Sequence, residues 1–150
     1  MTGSADPFDL ERFVEAQDLG GMYDRALAEL HRGRKSSHWI WFVFPQIAGL
    51  GSSLMAQRFA IGSLAEAAAY LAHPVLGPRL RDAAQAVLAT DARRAEAVLG
   101  SIDAIKLRSS MTLFHRADPA EPVFVRVLDR FYGGRPDPAT DELLAPADPR

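Results

Sequence analysis

The 150-residue chain contains no cysteine, so disulfide staples and thiolate metal sites are excluded from the start. Lysine is nearly missing as well: only Lys35 and Lys106 stand among 17 basic residues, and the other 15 are arginine. An excess of one charge sign is also lacking. With 17 basic against 19 acidic residues the formal charge is −2, which gives no global field to hold a nucleic-acid backbone. The most apolar stretch, Trp39 to Phe44, is far too short to span a bilayer, and the start MTGSADPFDLE has neither the basic head nor the apolar body of a signal peptide. A cytoplasmic protein with no nucleic-acid or membrane partner is therefore expected.

What is present in quantity points to a folded body. Hydrophobic residues make up 48% of the chain and charges of mixed sign 24%, enough to bury a core and too apolar for disorder. The length suits a single domain over 1–150, with an ordered core at about 8–144 and a Pro-, Ala- and Asp-rich tail, 145–150, expected to fray.

The punctuation is that of short helices. Asp9 can cap a helix carrying Leu10, Phe13, Val14 and Gln17, and Gly20-Gly21 interrupts it before a second stripe of Tyr23, Ala26, Leu27 and Leu30 that Gly33 ends. Ser63 with Glu66 reads as a capping box for a helix to Leu71, after which His73 to Gly77 reads as a turn and Pro78 as the start of a helix to about Ala89. Asp91 can cap Ala92 to Leu99, and Ser101 or Asp103 can open a helix toward Phe114. Asp118, Pro119 and Glu121 supply start signals for a helix ending at Tyr132 before Gly133-Gly134, and Pro138 begins a last short one. Trp39-Ile40-Trp41-Phe42-Val43-Phe44 is ambiguous: its aromatic and β-branched residues favour a strand, yet no second strand exists to pair with it. The expected class is mainly α, one compact multi-helix domain with 39–44 as a buried helical turn or extended element.

Two segments carry polar groups beside apolar walls. In Gly33 to Ser53, the residues Arg34, Lys35, Ser36, Ser37 and His38 precede both tryptophans, Trp39 and Trp41. Pro45, Gln46 and a Gly-Leu-Gly-Ser-Ser turn follow, in which Gly49 and Gly51 allow close backbone approach and Ser52 can cap the next helix. In Ser101 to Phe114, the residues Asp103, Lys106 and Ser110 fall at spacings of three and four, while Ser109 joins the stripe of Ile102 and Ile105. Both lysines lie in these segments, each beside an arginine and a Ser-Ser pair. If the segments converge, ammonium, guanidinium and hydroxyl groups against tryptophan would suit phosphate, carboxylate or a nucleotide diphosphate. The plainer alternatives are core packing for the tryptophans and a surface ion pair for Asp103 and Lys106. Four scattered histidines without ligand spacing give no metal site, and no P-loop, GxGxxG or GxSxG motif marks a nucleotide cofactor or a hydrolase elbow, so no cofactor is expected.

The strings LERFVEAQ, ALAELHRGRKSSHWIWFVFPQIAGLGSS, AYLAHPVLGPRL and DAIKLRSSMTLF resemble the bacterial and fungal family called domain of unknown function 1810, from Phe8 to about Leu144. The resemblance implies a helical cytoplasmic domain and supplies no activity. Some members carry the label calpastatin, which names a long disordered inhibitor unlike this apolar, densely capped chain. The shorter string ERFVEAQ, Glu11 to Gln17, is similar to a Glu-bearing helix motif of the NAD- and ADP-ribose-processing (NADAR) family, although Asp18 stands where that motif has a basic residue. That likeness implies N-glycosidic bond cleavage with Glu11 as the acid. The combined expectation is a pocket for a small anionic, nucleotide-like metabolite, bound by Arg34, Lys35, Ser37, Trp39, Trp41, Gln46, Lys106, Ser109 and Ser110. If the protein is an enzyme, it would be a hydrolase or transferase in which Glu11 or His38 handles a proton. The alternative is a non-catalytic interaction module that exposes the Trp39–Phe44 segment as an apolar patch.

Overall fold

The computed structural model describes residues 6–145, so the tail beyond Ala145 lies outside the described residues. Helices follow one another almost without interruption: α1 (Glu11–Asp18), a 3-10 turn at Leu19–Gly21, α2 (Met22–His31), α3 (Ile40–Val43), α4 (Leu54–Arg58), α5 (Leu64–Ala72), α6 (Leu76–Leu88), α7 (Ala95–Leu99), α8 (Ser101–Ala117), α9 (Pro122–Tyr132) and α10 (Pro138–Leu144). Among the described residues there is no strand, only one parallel bridge between Ile47 and Ile61. The mainly α expectation holds. The ambiguous 39–44 segment is one buried helical turn, because the i→i+4 bonds from Val43 to Trp39 and from Phe44 to Ile40 satisfy its backbone locally.

Helix α8 is the axis of the molecule and packs against α3, α5, α7, α9 and α10. Its run Ser109 to Phe114 is buried at every position, the pattern of a helix enclosed on all sides. Helix α6 forms a second layer, touching α2, α3, α5 and α9. An aromatic string ties the layers together: Phe13 meets Tyr70 edge-on at 5.1 Å between ring centres, Tyr70 lies 5.2 Å from Phe114, and Phe114 lies 6.0 Å from Phe124.

Several helix starts fall elsewhere than the sequence signals suggest, each time because another acceptor wins. Asp9 does not cap α1; Asp6 does, its carboxylate accepting the N–H groups of Leu10 and Glu11 at 2.7 and 3.0 Å. The turn expected at His73 to Gly77 is shorter, since the His73 Nδ1 accepts from Val75 and Leu76 and the helix begins at Leu76 rather than Pro78. Helix α7 starts at Ala95 rather than just after Asp91. Glu121 is the cap of α9, accepting from Val123 with Pro122 in the first turn, in place of Asp118 and Pro119. Ser53, not Ser52, caps α4. Ser63 does cap α5, but the Glu66 carboxylate accepts the return bond of the box from the N–H of Gly62 rather than of Ser63. Gly20 and Gly21, both left-handed at φ 62° and 67°, reverse the chain between α1 and α2.

Candidate functional site

The loop after α2 is organised by one buried acid. Glu29, 1% exposed on α2, accepts the N–H groups of Ser36 and Ser37 at 2.7 and 2.9 Å, the Ser37 hydroxyl at 2.6 Å and the Trp39 indole N–H at 2.9 Å. Burial pushes its pKa up, but these four donors overcome that and hold the carboxyl at about 2. Ser37 and Trp39 are thereby committed to Glu29. The Trp39 ring is fully buried, 6.3 Å from Phe44, and offers no face to a ligand.

That same loop delivers Lys35. Its N–H is bonded to the Val98 carbonyl at 2.7 Å, and its Nζ lies 2.8 Å from Asp103 Oδ2 and 5.2 Å from the centre of the Trp39 ring. One turn along α8 from Asp103, the Lys106 Nζ lies 3.6 Å from the other oxygen, Oδ1, and 5.0 Å from the Trp41 ring. The two lysines do converge, on one carboxylate, each over a tryptophan. Asp103 bonds closely to Lys35 and only loosely to Lys106, so the cluster keeps one net positive charge, on the lysine that is more exposed.

Lys106 stands where two hollows meet. The larger, about 470 Å³, runs between α8 and the loop after Pro45; its walls include Ile105, Lys106 and Ser109 on one side, and Gln46, Ser52 and Ser53 on the other. Gly51 keeps that loop close to α4, since a Cβ there would stand 2.6 Å from the Cβ of Ala56. Asp137 and Ala139, at the start of α10, close one end. The smaller hollow, about 10 Å³, is a slot with room for about one water, bounded by Trp41, Phe44, Gln46, Phe59 and Lys106. The indole N–H of Trp41 is buried with no hydrogen-bond partner among the described residues.

The remaining expected site residues are dispersed. Glu11 is exposed and lines a hollow with Asp6, Phe8 and His73. His38 is also exposed and lines another with Glu15, Met22, Met55 and Arg58. Arg34 is exposed and lines neither hollow at Lys106. Ser110, expected beside Lys106, is fully buried inside α8 with its hydroxyl unpartnered among the described residues. Ser109 reaches the groove wall while bonding to Asp137 at 2.9 Å. The interaction-patch alternative is corrected: Trp39, Ile40, Phe42, Val43 and Phe44 are all buried, because α3 is enclosed by α1, α6 and α8, so no aromatic patch faces solvent there.

Glu29, Asp103 and Asp137 are absent from the expected site set. Asp103 was within reach, three residues before Lys106; Asp137 carried only a helix-start signal, and Glu29 none. No group of three or more His, Asp or Glu residues placed to hold a metal occurs among the described residues, and none of their helices is long and apolar enough to cross a membrane.

Fold and groove together define a mainly α domain with a polar, part-apolar groove along its central helix. Residues 7–144 match the model of a protein family of unknown function, DUF1810, and the chain belongs to that family. It is similar, at 51% identity and a TM-score of 0.91 over 95% of this chain and all of the other, to the crystal structure of the conserved hypothetical protein Rv1873 from Mycobacterium tuberculosis. No curated protein matches the chain.

Proposed function

We propose that the protein binds a small anionic, nucleotide-like metabolite in the groove beside α8, with Lys106 as the anion contact. The observation that carries this reading is the sharing of Asp103. One carboxylate serves two ammonium groups and its closer bond goes to Lys35, which leaves Lys106 the more loosely paired and more exposed of the two at the junction of the groove and the Trp41 slot. Gln46 borders both spaces and Ser52 lines the groove, so residues able to donate to an anion share the lining with Lys106. The volume is within the range of small-ligand sites. The finer reading, hydrolysis or transfer at an NAD- or ADP-ribose-type glycosidic bond, draws on Glu11 or His38. Those side chains line other hollows, apart from Lys106, and binding alone is what the groove residues support.

Titrating intrinsic tryptophan fluorescence with inorganic phosphate, AMP, ADP-ribose and NAD tests it. A saturable change with AMP or ADP-ribose is expected, absent in Trp41→Phe and shifted roughly 10- to 100-fold to weaker binding in Lys106→Ala, the loss of one charge-assisted contact. Arg34→Ala, outside the groove, is expected to titrate like the wild type. No response to any of the four, or equal affinity in Lys106→Ala, would sink the reading.

A further inference from the structure

We infer that the hollow beside His38 is a second binding site, for an acyl-chain carboxylate of the fatty-acid type, with Arg58 as the contact for the carboxylate. The hollow holds about 440 Å³, within the range of small-ligand sites, and shares no lining residue with the groove along α8. Leu19 and Met22 reach it from the 3-10 turn and the start of α2, Phe42 from α3, and Met55, Arg58 and Phe59 from the α4 segment. Phe42 and Phe59, with ring centres 5.4 Å apart, are almost wholly buried, so little ring face is open to stacking. The accessible apolar surface comes instead from Leu19, 77% exposed, and from the two part-buried methionines. Unbranched thioether side chains repack around whatever lies against them, and a flexible run of methylenes is the shape such walls accommodate best.

Charge sets the head group. The Arg58 guanidinium lies 5.1 Å from the centre of the Phe59 ring, and among the described residues it has no ion pair and no side-chain hydrogen bond. Arg12 and Arg79, by contrast, are spent on Glu66 and Asp18. Arg58 is therefore a cation held at the edge of an apolar hollow by an aromatic ring alone. Glu15, exposed on α1, is the one acid of the lining and does not pair with it. A ligand with one negative end and an apolar body meets Arg58 with the first and the methionines with the second. A cationic head would be repelled by Arg58 and met only by a solvated acid. His38, also exposed in the lining, has a ring that can donate an N–H in either protonation state.

NMR of the full chain carrying methyl-labelled methionine, titrated with octanoate, hexanoate, octylammonium, 1-octanol and 3-phenylpropionate, tests the inference. Octanoate is expected to shift the Met22 and Met55 methyl signals saturably and to leave Met111, fully buried on α8, unmoved. Hexanoate, two methylenes shorter, is expected to bind roughly tenfold more weakly, and octylammonium more weakly than octanoate. Arg58→Gln is expected to weaken octanoate about tenfold and to leave 1-octanol unchanged, while Arg58→Lys keeps most of the octanoate affinity. Lys106→Ala is expected to titrate with octanoate as the wild type does, so this site and the groove stand or fall separately. No shift at Met22 and Met55, octylammonium binding as tightly as octanoate, or wild-type octanoate affinity in Arg58→Gln would overturn the inference. So would 3-phenylpropionate binding more tightly than octanoate, which would replace the acyl chain by an aryl acid, or loss of octanoate binding in Lys106→Ala, which would place the carboxylate in the groove.

Discussion

Glu29 shows how much one buried side chain can organise when its charge is met by donors rather than by a cation. Its four bonds fix residues 36–39, and through them the position of Lys35 over Trp39 and against Asp103. Held at about 2 when folded, against 4.5 for a free carboxyl, Glu29 contributes stability that is complete above pH 4.5 and is lost as the pH falls toward 2. The size of that contribution is roughly 3 kcal/mol. Glu29→Gln, which resembles the protonated acid, is expected to unfold at lower urea than the wild type by about this amount at pH 7, with the difference shrinking as the pH approaches 3. A gap that stays constant over that range would show that the carboxylate charge is not what holds the loop. Nothing in the sequence around Glu29 announces this role. An acid between Ala26 and Leu30 on an apolar helix stripe reads as an interruption, and its donors lie beyond a turn whose geometry only the folded chain defines.

Helix boundaries are set by competition between caps, and the outcome depends on contacts that single-chain signals do not include. Ser63 was legible because its partner Glu66 is three residues on; Asp6 and His73 were not, since an acid four residues upstream of Leu10 and an imidazole ring compete with better-known signals nearby. The junction of α5 and α6 is closely packed at Gly77. A Cβ on Gly77 would stand 2.1 Å from the Leu71 carbonyl oxygen, so the two helices must separate to admit one. Gly77→Ala is accordingly expected to lower stability by about 3 kcal/mol, against about 1 kcal/mol for removing the cap in Ser63→Ala. Thermal or urea unfolding of the pair checks the order, and equal losses would mean that α6 can slide without cost. The lysine pair belongs to this scale too. Its two segments were visible as strings, and the count of lysines singled them out, but that one carboxylate serves both, through opposite oxygens, required α2, α7 and α8 to be packed.

At the scale of the whole molecule, the buried apolar residues form one cluster from Leu10 to Leu128, and α8 runs through its middle. The mainly α class was legible because dense caps and helical stripes all agreed. The groove was only half legible: its α8 wall was read from spacing, while Asp137 arrives from a helix whose docking onto Ser109 and Thr112 has no local signature. The two walls also differ in how they are held. Helix α8 is locked by the core, whereas α4 on the other side has no buried residue of its own; the segment carrying it is held at its ends, by the bridge at Ile47 and Ile61, through the bonds Ala48 N–H to Ile61 C=O and Ile61 N–H to Gln46 C=O, both 2.8 Å, by the Arg12 guanidinium donating to the Arg58 and Ala60 carbonyls, and by the buried Phe59. One side of the groove therefore opens only with the whole protein, and the α4 turn on the other side opens at lower cost. In hydrogen exchange, the amides of Leu107 to Leu113 are expected to be the slowest in the chain, those of α4 among the fastest, and Ala48 and Ile61 intermediate. The groove would then have a stationary wall that keeps the charge and a wall that yields first, and the yielding wall would set the residence time of a ligand bound as proposed.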